Sequence, residues 1–363
     1  MRPVVFIAKS VAPMGGLEAD MLKCIRALCE AGREVHVLYG FKAEGTDAAL
    51  AGCNVQWHRM WMRKRPPLFG QLLMLVHIRR ILTQLERQRG ELFVINYERL
   101  PFGDVQVGAA PQQLWVAARK KMRLSPFSQL PYRSWLNFID RHIQQQMACT
   151  LLIFSERDGE ALRRLGVAEN RIERVIIPTD TDRFAPSANE TRPFITIVGA
   201  NPKLKGIDLA LAVWPQIHAR HPELRLRVVT QGWKGRRLVE QSNLPGVEVA
   251  DFIRDVERYY HDSRLLLAPS IFETWGNVVV EALACGVPVV AAADVPAGEL
   301  LAGENCGVVF ARDGVQDAAG LAAAIEQALA MPLDAASRAE RHRHVRQFMT
   351  DHADLLQWML NKA

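Results

Sequence analysis

Residues 269–290 read Pro-Ser-Ile-Phe-Glu-Thr-Trp-Gly-Asn-Val-Val-Val-Glu-Ala-Leu-Ala-Cys-Gly-Val-Pro-Val-Val. The segment follows an apolar run at 265–269 and ends in a second one at 287–292, and both runs predict buried strands. Between them, a short loop leads into the helical pattern 276–285. The segment therefore predicts a strand, a loop, a helix and a strand, the repeating unit of a parallel α/β fold.

The loop and the start of this helix hold residues that suit a nucleotide diphosphate. Gly276 allows a ligand to approach the backbone at a helix N-terminus, where N–H groups and the helix dipole favour an anion. Glu281 can accept two hydrogen bonds from a vicinal diol such as that of ribose, and Glu273 then faces a sugar ring. Each glutamate has an alternative role when taken alone, a helix cap for Glu281 and a solvated loop position for Glu273.

The same alternation extends outward through the second half of the chain. Strands are predicted at 194–199, 225–231 and 247–250, and helices at 206–220 and 255–263. Residues 194–340 are therefore predicted to form a Rossmann-like domain. The closing helical residues, 341–363, are expected to pack back on the first domain.

The first half shows a similar pattern. Strands are predicted at 4–8, 34–39, 92–96, 151–154 and 174–177, and helices at 17–31, 70–89 and 134–149. Residues 1–177 thus predict a second Rossmann-like domain, and the polar, proline-containing segment 178–193 is interpreted as a linker. Since open parallel sheets bind ligands at their carboxyl edges, we expect the two domains to face an interdomain cleft.

Charge and cysteine content narrow the class of protein further. Residues 1–177 contain 26 Lys and Arg against 16 Asp and Glu, a net charge of +10, while the rest of the chain has a net charge of −4. The first half is therefore expected to meet an anionic partner. The six cysteines form no C-x-x-C pair, and no signal peptide or membrane span is recognisable, so we expect a reducing, cytoplasmic location.

At Glu273 and Glu281 the sequence resembles the family 4 glycosyltransferases, whose consensus is E-x7-E followed by a Gly-x-Pro turn. The resemblance spans nearly the whole chain: 13–18 is similar to the family's Gly-Gly loop, 182–186 to its D-x-x-R-F-x-P region and 199–206 to its glycine- and lysine-containing loop. It implies a GT-B fold and transfer of a sugar from a nucleotide donor. Within the family, the chain most resembles enzymes of lipopolysaccharide core assembly.

The resemblance also implies roles for individual residues. Lys205 neutralises the diphosphate, Glu281 holds the ribose and Glu273 orients the donor hydroxyls. Asp20 or Asp104 stands in for the acidic or histidine residue that the family places near the reacting centre. The implied donor-binding set is Gly15, Gly16, Lys203, Lys205, Glu273, Trp275, Gly276, Asn277, Val278 and Glu281, and the catalytic set is Glu273, Lys205 and Asp20.

The same resemblance implies that the enzyme retains anomeric configuration, uses no metal and has no cofactor other than a nucleotide-sugar co-substrate. The expected donor is UDP-glucose. The expected acceptor is lipopolysaccharide core or a related membrane-anchored glycan, with exopolysaccharide or O-antigen assembly as an alternative. The chain departs from the family at Ala200, where an arginine is usual, so phosphate neutralisation depends on Lys203 and Lys205.

Two clusters in the first half alternate aromatic and cationic residues. Such clusters suit the headgroup region of an anionic membrane, and an ordinary solvated helix face is the alternative. We assign them to membrane or acceptor contact and expect peripheral association with the cytoplasmic face of the inner membrane. The residues are Trp57, Trp61, Arg63, Lys64, Arg65, Trp115, Arg119, Lys120, Lys121 and Arg123.

Three other functions are less consistent with the sequence. A nonenzymatic two-domain protein that closes on an anionic ligand would not need the paired glutamates. A nicotinamide dehydrogenase would need Gly-x-Gly-x-x-Gly and an acidic residue after the second strand, where Tyr39 and Gly40 stand. Nucleic-acid binding would use similar basic patches, but no recognition module accompanies them.

Overall fold

Buried apolar strands alternate with helices throughout the chain. The structure, a computed structural model, describes residues 2–13, 16–61, 67–122, 130–188, 192–230, 233–251, 255–314 and 317–363. Over these residues the chain divides into two units. Unit 1 comprises Met1–Leu114, Ser125–Pro178 and Ala353–Ala363, and unit 2 comprises Trp115–Leu124 and Thr179–His352.

Unit 1 contains a parallel sheet with the strand order β3-β2-β1-β4-β5-β6-β7. Its central strand is buried on both faces, as the apolar run Val-Val-Phe-Ile-Ala at its start predicts. The order reverses between β1 and β4, which makes this position the topological switch point of the sheet. Strands β1–β7 are Val4–Val11, Val35–Lys42, Val55–Arg59, Phe93–Asn96, Val105–Val107, Thr150–Ile153 and Ile172–Arg174.

Unit 2 contains a second parallel sheet, ordered β10-β9-β8-β11-β12-β13. Here the order reverses between β8 and β11, where Leu266 pairs with Thr196. Both strands are almost wholly buried, and each continues at its carboxyl end into one of the motif loops. Strands β8–β13 are Phe194–Val198, Arg225–Val229, Val247–Ala250, Ser263–Ala268, Val289–Ala292 and Gly307–Phe310.

Helices connect the strands of both units. The first of them buries Met21, Ile25 and Leu28, which recur at helical spacing, against its own sheet. Helices α1–α6 are Leu17–Glu30, Thr46–Ala49, Pro67–Arg89, Gln112–Lys121, Leu130–Gln145 and Glu156–Arg164. Helices α7–α14 are Pro202–Lys205, Ile207–Arg220, Trp233–Ser242, Glu257–His261, Asn277–Ala284, Asp317–Leu329, Ala335–Asp351 and Leu355–Lys362, and short 3₁₀ helices lie at Glu169–Arg171 and Pro296–Ala302.

The prediction of two parallel, Rossmann-like sheets is confirmed. One predicted strand is wrong in position: 174–177 was expected, but β7 ends at Arg174, and Ile176 forms an isolated bridge with Asp354 instead. The predicted linker 178–193 begins at the boundary between the units. The strands and α-helices absent from the sequence prediction are mostly short, half-buried or polar: β3, β5, β13, α2, α4, α6, α7, α9 and α12.

No helix in the described ranges is long and apolar enough to cross a membrane. All six cysteines are free thiols, and Cys24, Cys149, Cys285 and Cys306 are buried.

Candidate functional site

The loops that follow β8 and β11 lie against each other at the switch point of unit 2. The Ile271 N–H donates to the Leu204 carbonyl at 2.9 Å. Gly206 has a φ of +70°, and a β-carbon there would collide with the carbonyl oxygen of Pro269. Only glycine fits this position, because it combines a left-handed backbone with backbone contact on its open side.

A lysine and a glutamate from these two loops form an ion pair. Lys205 Nζ donates to Glu273 Oε1, and Ser270 Oγ donates to the same oxygen at 2.8 Å. The two charged side chains are 23% and 14% exposed. The stem of Lys205 crosses Gly199 so closely that a β-carbon on Gly199 would collide with it. The amino group is therefore held at the sheet edge by the glycine on one side and the carboxylate on the other.

A helix N-terminus lies next to this pair in the chain. Helix α11 begins at Asn277 after Gly276, whose φ of +113° is a left-handed conformation that favours glycine. Trp275 is 1% exposed and stacks on Phe348 with ring centroids 6.0 Å apart. Its burial anchors the turn that precedes α11. The N–H groups in the first turn of a helix point out of its N-terminus, where they can bind an anion.

Glu281 has a partner that the sequence did not indicate. The hydroxyl of Tyr260 on α10 donates to Glu281 Oε2 at 2.7 Å. Burial, with the adjacent Glu281 carboxylate, raises the pKa of Tyr260 well above its usual value, so the phenol remains a donor. Arg183, which pairs with Glu257 at 2.7 Å, also interacts electrostatically with Glu281. One carboxylate oxygen of Glu281 is thus fixed by protein.

Together these groups can bind a polyanion and a diol without a metal ligand set. Lys205 and the start of α11 supply positive potential, while Glu273 and Glu281 supply acceptors for hydroxyl groups. In the described part of the chain, no group of three or more His, Cys, Asp or Glu side chains is arranged to hold a metal ion. Lys203, which was assigned to the same site, is exposed on α7.

The predicted site residues of the first half lie in unit 1. Asp20, in the first turn of α1, is 3% exposed and pairs with Lys23 at 2.9 Å. Gly16 precedes α1, and Gly15 lies outside the described residues. The alternative candidate, Asp104, stands before β5, where its carboxylate accepts from the Val94 N–H at 2.7 Å. Asp104 therefore lies at the amino edge of the sheet, opposite the carboxyl ends that bind ligands.

The first aromatic and basic cluster is partly described. Trp57 lies in β3, half-buried, with Lys42 Nζ 4.5 Å from its ring centroid and Tyr39 edge-on at 5.4 Å. Trp61 is 72% exposed. Arg63, Lys64 and Arg65 fall outside the described residues. Of the two described tryptophans in this cluster, Trp61 is therefore the more exposed to solvent.

The second cluster was expected in the first domain, and this is corrected by the structure. Trp115–Leu124 groups with unit 2. Trp115 packs edge-on against Phe272 at 5.6 Å, and Lys121 pairs with Asp294 at 2.6 Å. Arg119 is half-buried and Lys120 exposed, whereas Arg123 lies outside the described residues. The sequence prediction missed this packing because the apolar partner, Phe272, is remote in the chain.

Two units in one chain, each built on a parallel sheet with a Rossmann-like strand order, define the GT-B class of fold. Residues 192–331 match the family model of the glycosyl transferases group 1. The matched part of the chain contains the Lys205, Glu273 and Glu281 site. The predicted GT-B fold is confirmed, and the predicted resemblance to glycosyltransferases agrees with this family match.

Similar proteins agree with this class. The D-inositol 3-phosphate glycosyltransferase of Rhodococcus opacus (strain B4) is 27% identical over 225 residues, 54% of this chain and 49% of its own length. WaaG, a glycosyltransferase involved in lipopolysaccharide biosynthesis, has a TM-score of 0.79 at 19% identity, over 99% of this chain and 98% of its own. Anabaena Alr3699/HepE, solved with UDP and glucose, has a TM-score of 0.68 at 15% identity, over 100% and 99%.

These similarities differ in what they cover. The chain spans about half the length of the curated relative that it matches. The two solved structures cover nearly the whole chain, and at this level of identity they establish the fold alone.

Proposed function

We propose that this protein transfers a hexose from a UDP-sugar to a saccharide acceptor. The observation that carries the proposal is the convergence of Lys205, Glu273 and the start of α11 at the switch point of unit 2. Open α/β sheets bind nucleotides at such a point. The UDP and glucose bound by the similar Anabaena protein support the choice of base and sugar.

Each group has one role in the proposed donor complex. Lys205 and the first N–H groups of α11 neutralise the diphosphate. Their stabilising effect grows as negative charge develops on the leaving phosphate. Glu281 accepts from the ribose hydroxyls, and the Tyr260 hydroxyl holds its carboxylate in place. Glu273 releases part of its interaction with Lys205 and accepts from donor sugar hydroxyls.

The proposed chemistry is a front-face displacement that retains anomeric configuration and needs no metal. The departing phosphate oxygen takes the proton of the acceptor hydroxyl, while Asp20 is proposed to assist on the acceptor side. The protein contributes mainly positioning and fixed charge. A glycosyl adduct trapped on Glu273 would refute this mechanism, because it would make Glu273 a covalent nucleophile.

The proposed acceptor is lipopolysaccharide core or a related membrane-anchored glycan, met at the cytoplasmic face of the membrane. The fold similarity to WaaG supports this choice. Assembly of exopolysaccharide or O-antigen is the alternative. Purified truncated lipopolysaccharides and polyprenyl-linked sugars, supplied separately with UDP-glucose, distinguish the two by the product that becomes labelled.

The nucleotide is tested by thermal shift with UDP, GDP, UDP-glucose, UDP-galactose and GDP-mannose, without added metal. UDP and one UDP-sugar are expected to raise Tm, because a ligand specific for the folded state stabilises it by about 2.7 kcal/mol at 100 times Kd. A folded sample that no nucleotide stabilises would contradict the proposal. If a nucleotide raises Tm but no acceptor causes UDP to be released from a UDP-sugar, a nonenzymatic binding protein would be favoured instead.

An exposed face of α3 adds to the proposed membrane contact of unit 1. Phe69, Leu72 and Val76 are 48%, 40% and 70% exposed. Val76 borders a groove that continues along the helix past Arg79, Arg80 and Arg87, and Glu86 is an exposed acidic residue of the same stretch. Apolar side chains followed by a net positive charge fit an anionic lipid surface, where each arginine contributes about 1 kcal/mol.

Sedimentation with lipid vesicles tests this contact. The protein is expected to bind vesicles of phosphatidylcholine with phosphatidylglycerol, and the double variant Arg79→Glu, Arg80→Glu is expected to bind at least tenfold more weakly, because each change reverses a charge. The matched control is Arg163→Glu, an exposed arginine of α6. Equal binding by all three proteins, or equal binding to pure phosphatidylcholine, would contradict the contact.

A further inference from the structure

A pocket of about 270 Å³, whose lining combines apolar residues with charged and amide side chains, lies within unit 1. Its walls come from the residues that follow β4 and β5, from β1, and from the facing helices α3 and α5. It thus lies at the carboxyl end of β1 and β4, the switch point of this sheet. The volume is just below the roughly 300–1,000 Å³ of small-molecule sites, so it suits a single ring.

The charges in this pocket are paired with one another. Lys9 Nζ lies 2.7 Å from Glu98 Oε2, and the Lys9 N–H donates to Glu98 Oε1 at 2.9 Å. Arg99 Nη1 lies 3.7 Å from Asp140 Oδ1. Two cations therefore face two carboxylates, and the lining is neutral overall.

The Asp140 carboxylate is further fixed from its other side. Its Oδ2 accepts from the Gln112 N–H and from Gln144 Nε2, both at 2.9 Å. Burial raises the pKa of Asp140, and the adjacent Arg99 partly offsets this. Arg99 also donates to Gln112 Oε1 at 2.6 Å. A phosphate in this pocket would have to displace contacts that already satisfy the cations, so a neutral ligand fits better.

Gln71 on α3 differs from the other polar lining residues. It is 5% exposed, and neither its Oε1 nor its Nε2 has a hydrogen-bond partner within the described ranges. A buried amide left in this state destabilises the fold unless a ligand supplies the missing partners. The side chain presents one acceptor and a donor group to the pocket, and a pair of hydroxyl groups on a sugar ring can satisfy both.

We propose that this pocket binds one neutral sugar unit of the acceptor and that Gln71 recognises its hydroxyl groups. The inference rests on the proposed glycosyl transfer and names the acceptor unit as uncharged. The excess positive charge of the first half of the chain then acts at its surface. Inside the pocket, the acceptor ring is held by amide groups and by charged groups that are already paired.

Binding to the full chain without nucleotide is measured by saturation-transfer difference NMR. The probes are the α-methyl glycosides of glucose, galactose and mannose, together with glucose 6-phosphate. At least one methyl glycoside is expected to bind, and Gln71→Leu, which keeps the side-chain volume, is expected to weaken it at least tenfold. Glucose 6-phosphate is expected to bind no more tightly than the best methyl glycoside.

Three results would overturn the proposal: no methyl glycoside binds, Gln71→Leu binds as the wild type does, or glucose 6-phosphate binds tenfold more tightly than the glycosides. The control is Gln145→Leu, an exposed glutamine of α5 outside the pocket, which is expected to bind normally. UDP stabilisation of Tm is measured on the same proteins. Its persistence in Gln71→Leu shows a folded donor site, and its absence in the wild type would instead contradict the proposed function.

Discussion

Replacing Lys205 by methionine is expected to lower kcat for sugar transfer by roughly 10²- to 10³-fold, the loss typical when one fixed group that stabilises developing charge is removed. Lys205 is held at the sheet edge by Glu273 and by the close approach to Gly199. Its charge is therefore already in place when the diphosphate departs. UDP release from the donor in the presence of acceptor measures the effect.

The control for this change is Lys362→Met, because Lys362 also pairs with a glutamate, Glu173 at 3.5 Å, but lies on α14. It is expected to leave kcat unchanged. Lys205→Arg is expected to recover part of the activity, since charge is kept while the fork geometry differs. Turnover within twofold of wild type in Lys205→Met would remove this residue from the catalytic set.

Replacing Glu281 by alanine is expected to raise the Kd for UDP by about 10- to 100-fold, because hydrogen bonds to a charged group are worth about 1.5–3 kcal/mol. The ribose loses its acceptor, whereas Lys205 and the start of α11 still attract the diphosphate. Isothermal titration calorimetry with UDP gives the Kd directly. Glu281→Gln, which keeps an acceptor oxygen, is expected to lose less affinity.

The Tyr260 hydroxyl complicates the alanine variant, because it is left buried without its acceptor. The double variant Tyr260→Phe, Glu281→Ala removes both partners and separates lost stability from lost affinity. The matched control is Glu326→Ala. Glu326 lies on α12, and its carboxylate is 2.9 Å from His221 Nε2. If Glu326→Ala weakens UDP binding as much as Glu281→Ala does, a lost ribose contact does not explain the higher Kd of Glu281→Ala.

The local parts of the fold were predictable because they depend on local patterns. The helix expected at 276–285 is Asn277–Ala284, and the strand expected at 247–250 is Val247–Ala250. The helix is marked by buried apolar residues at helical spacing, and the strand by its β-branched residues Val247 and Val249. By contrast, β3 reads Val-Gln-Trp-His-Arg and is half-buried at a sheet edge, so its pattern does not predict a strand, and Trp57 falls in the predicted aromatic and basic cluster.

The candidate functional residues that the sequence did not indicate depend on contacts between remote parts of the chain. Tyr260 stands 21 positions before Glu281 with no motif around it. Gln71 belongs to a helix whose polar residues resemble those of any surface helix, and its burial follows from tertiary packing. The sequence predicted Glu273 and Glu281 as a pair, from their spacing and the family resemblance, because a loop and the helix that follows it keep them near each other in sequence.

The close fit of Gly206 against the carbonyl of Pro269 limits how this enzyme can be diversified. Neither loop can be exchanged alone for that of another protein, because a side chain at 206 would force the backbone at 269 to move. Natural variants with a new sugar preference are expected to differ at 272–275 and to keep both contact positions. A mutant library that seeks new donors is best randomised in that same window, with Gly206 and Pro269 left as they are.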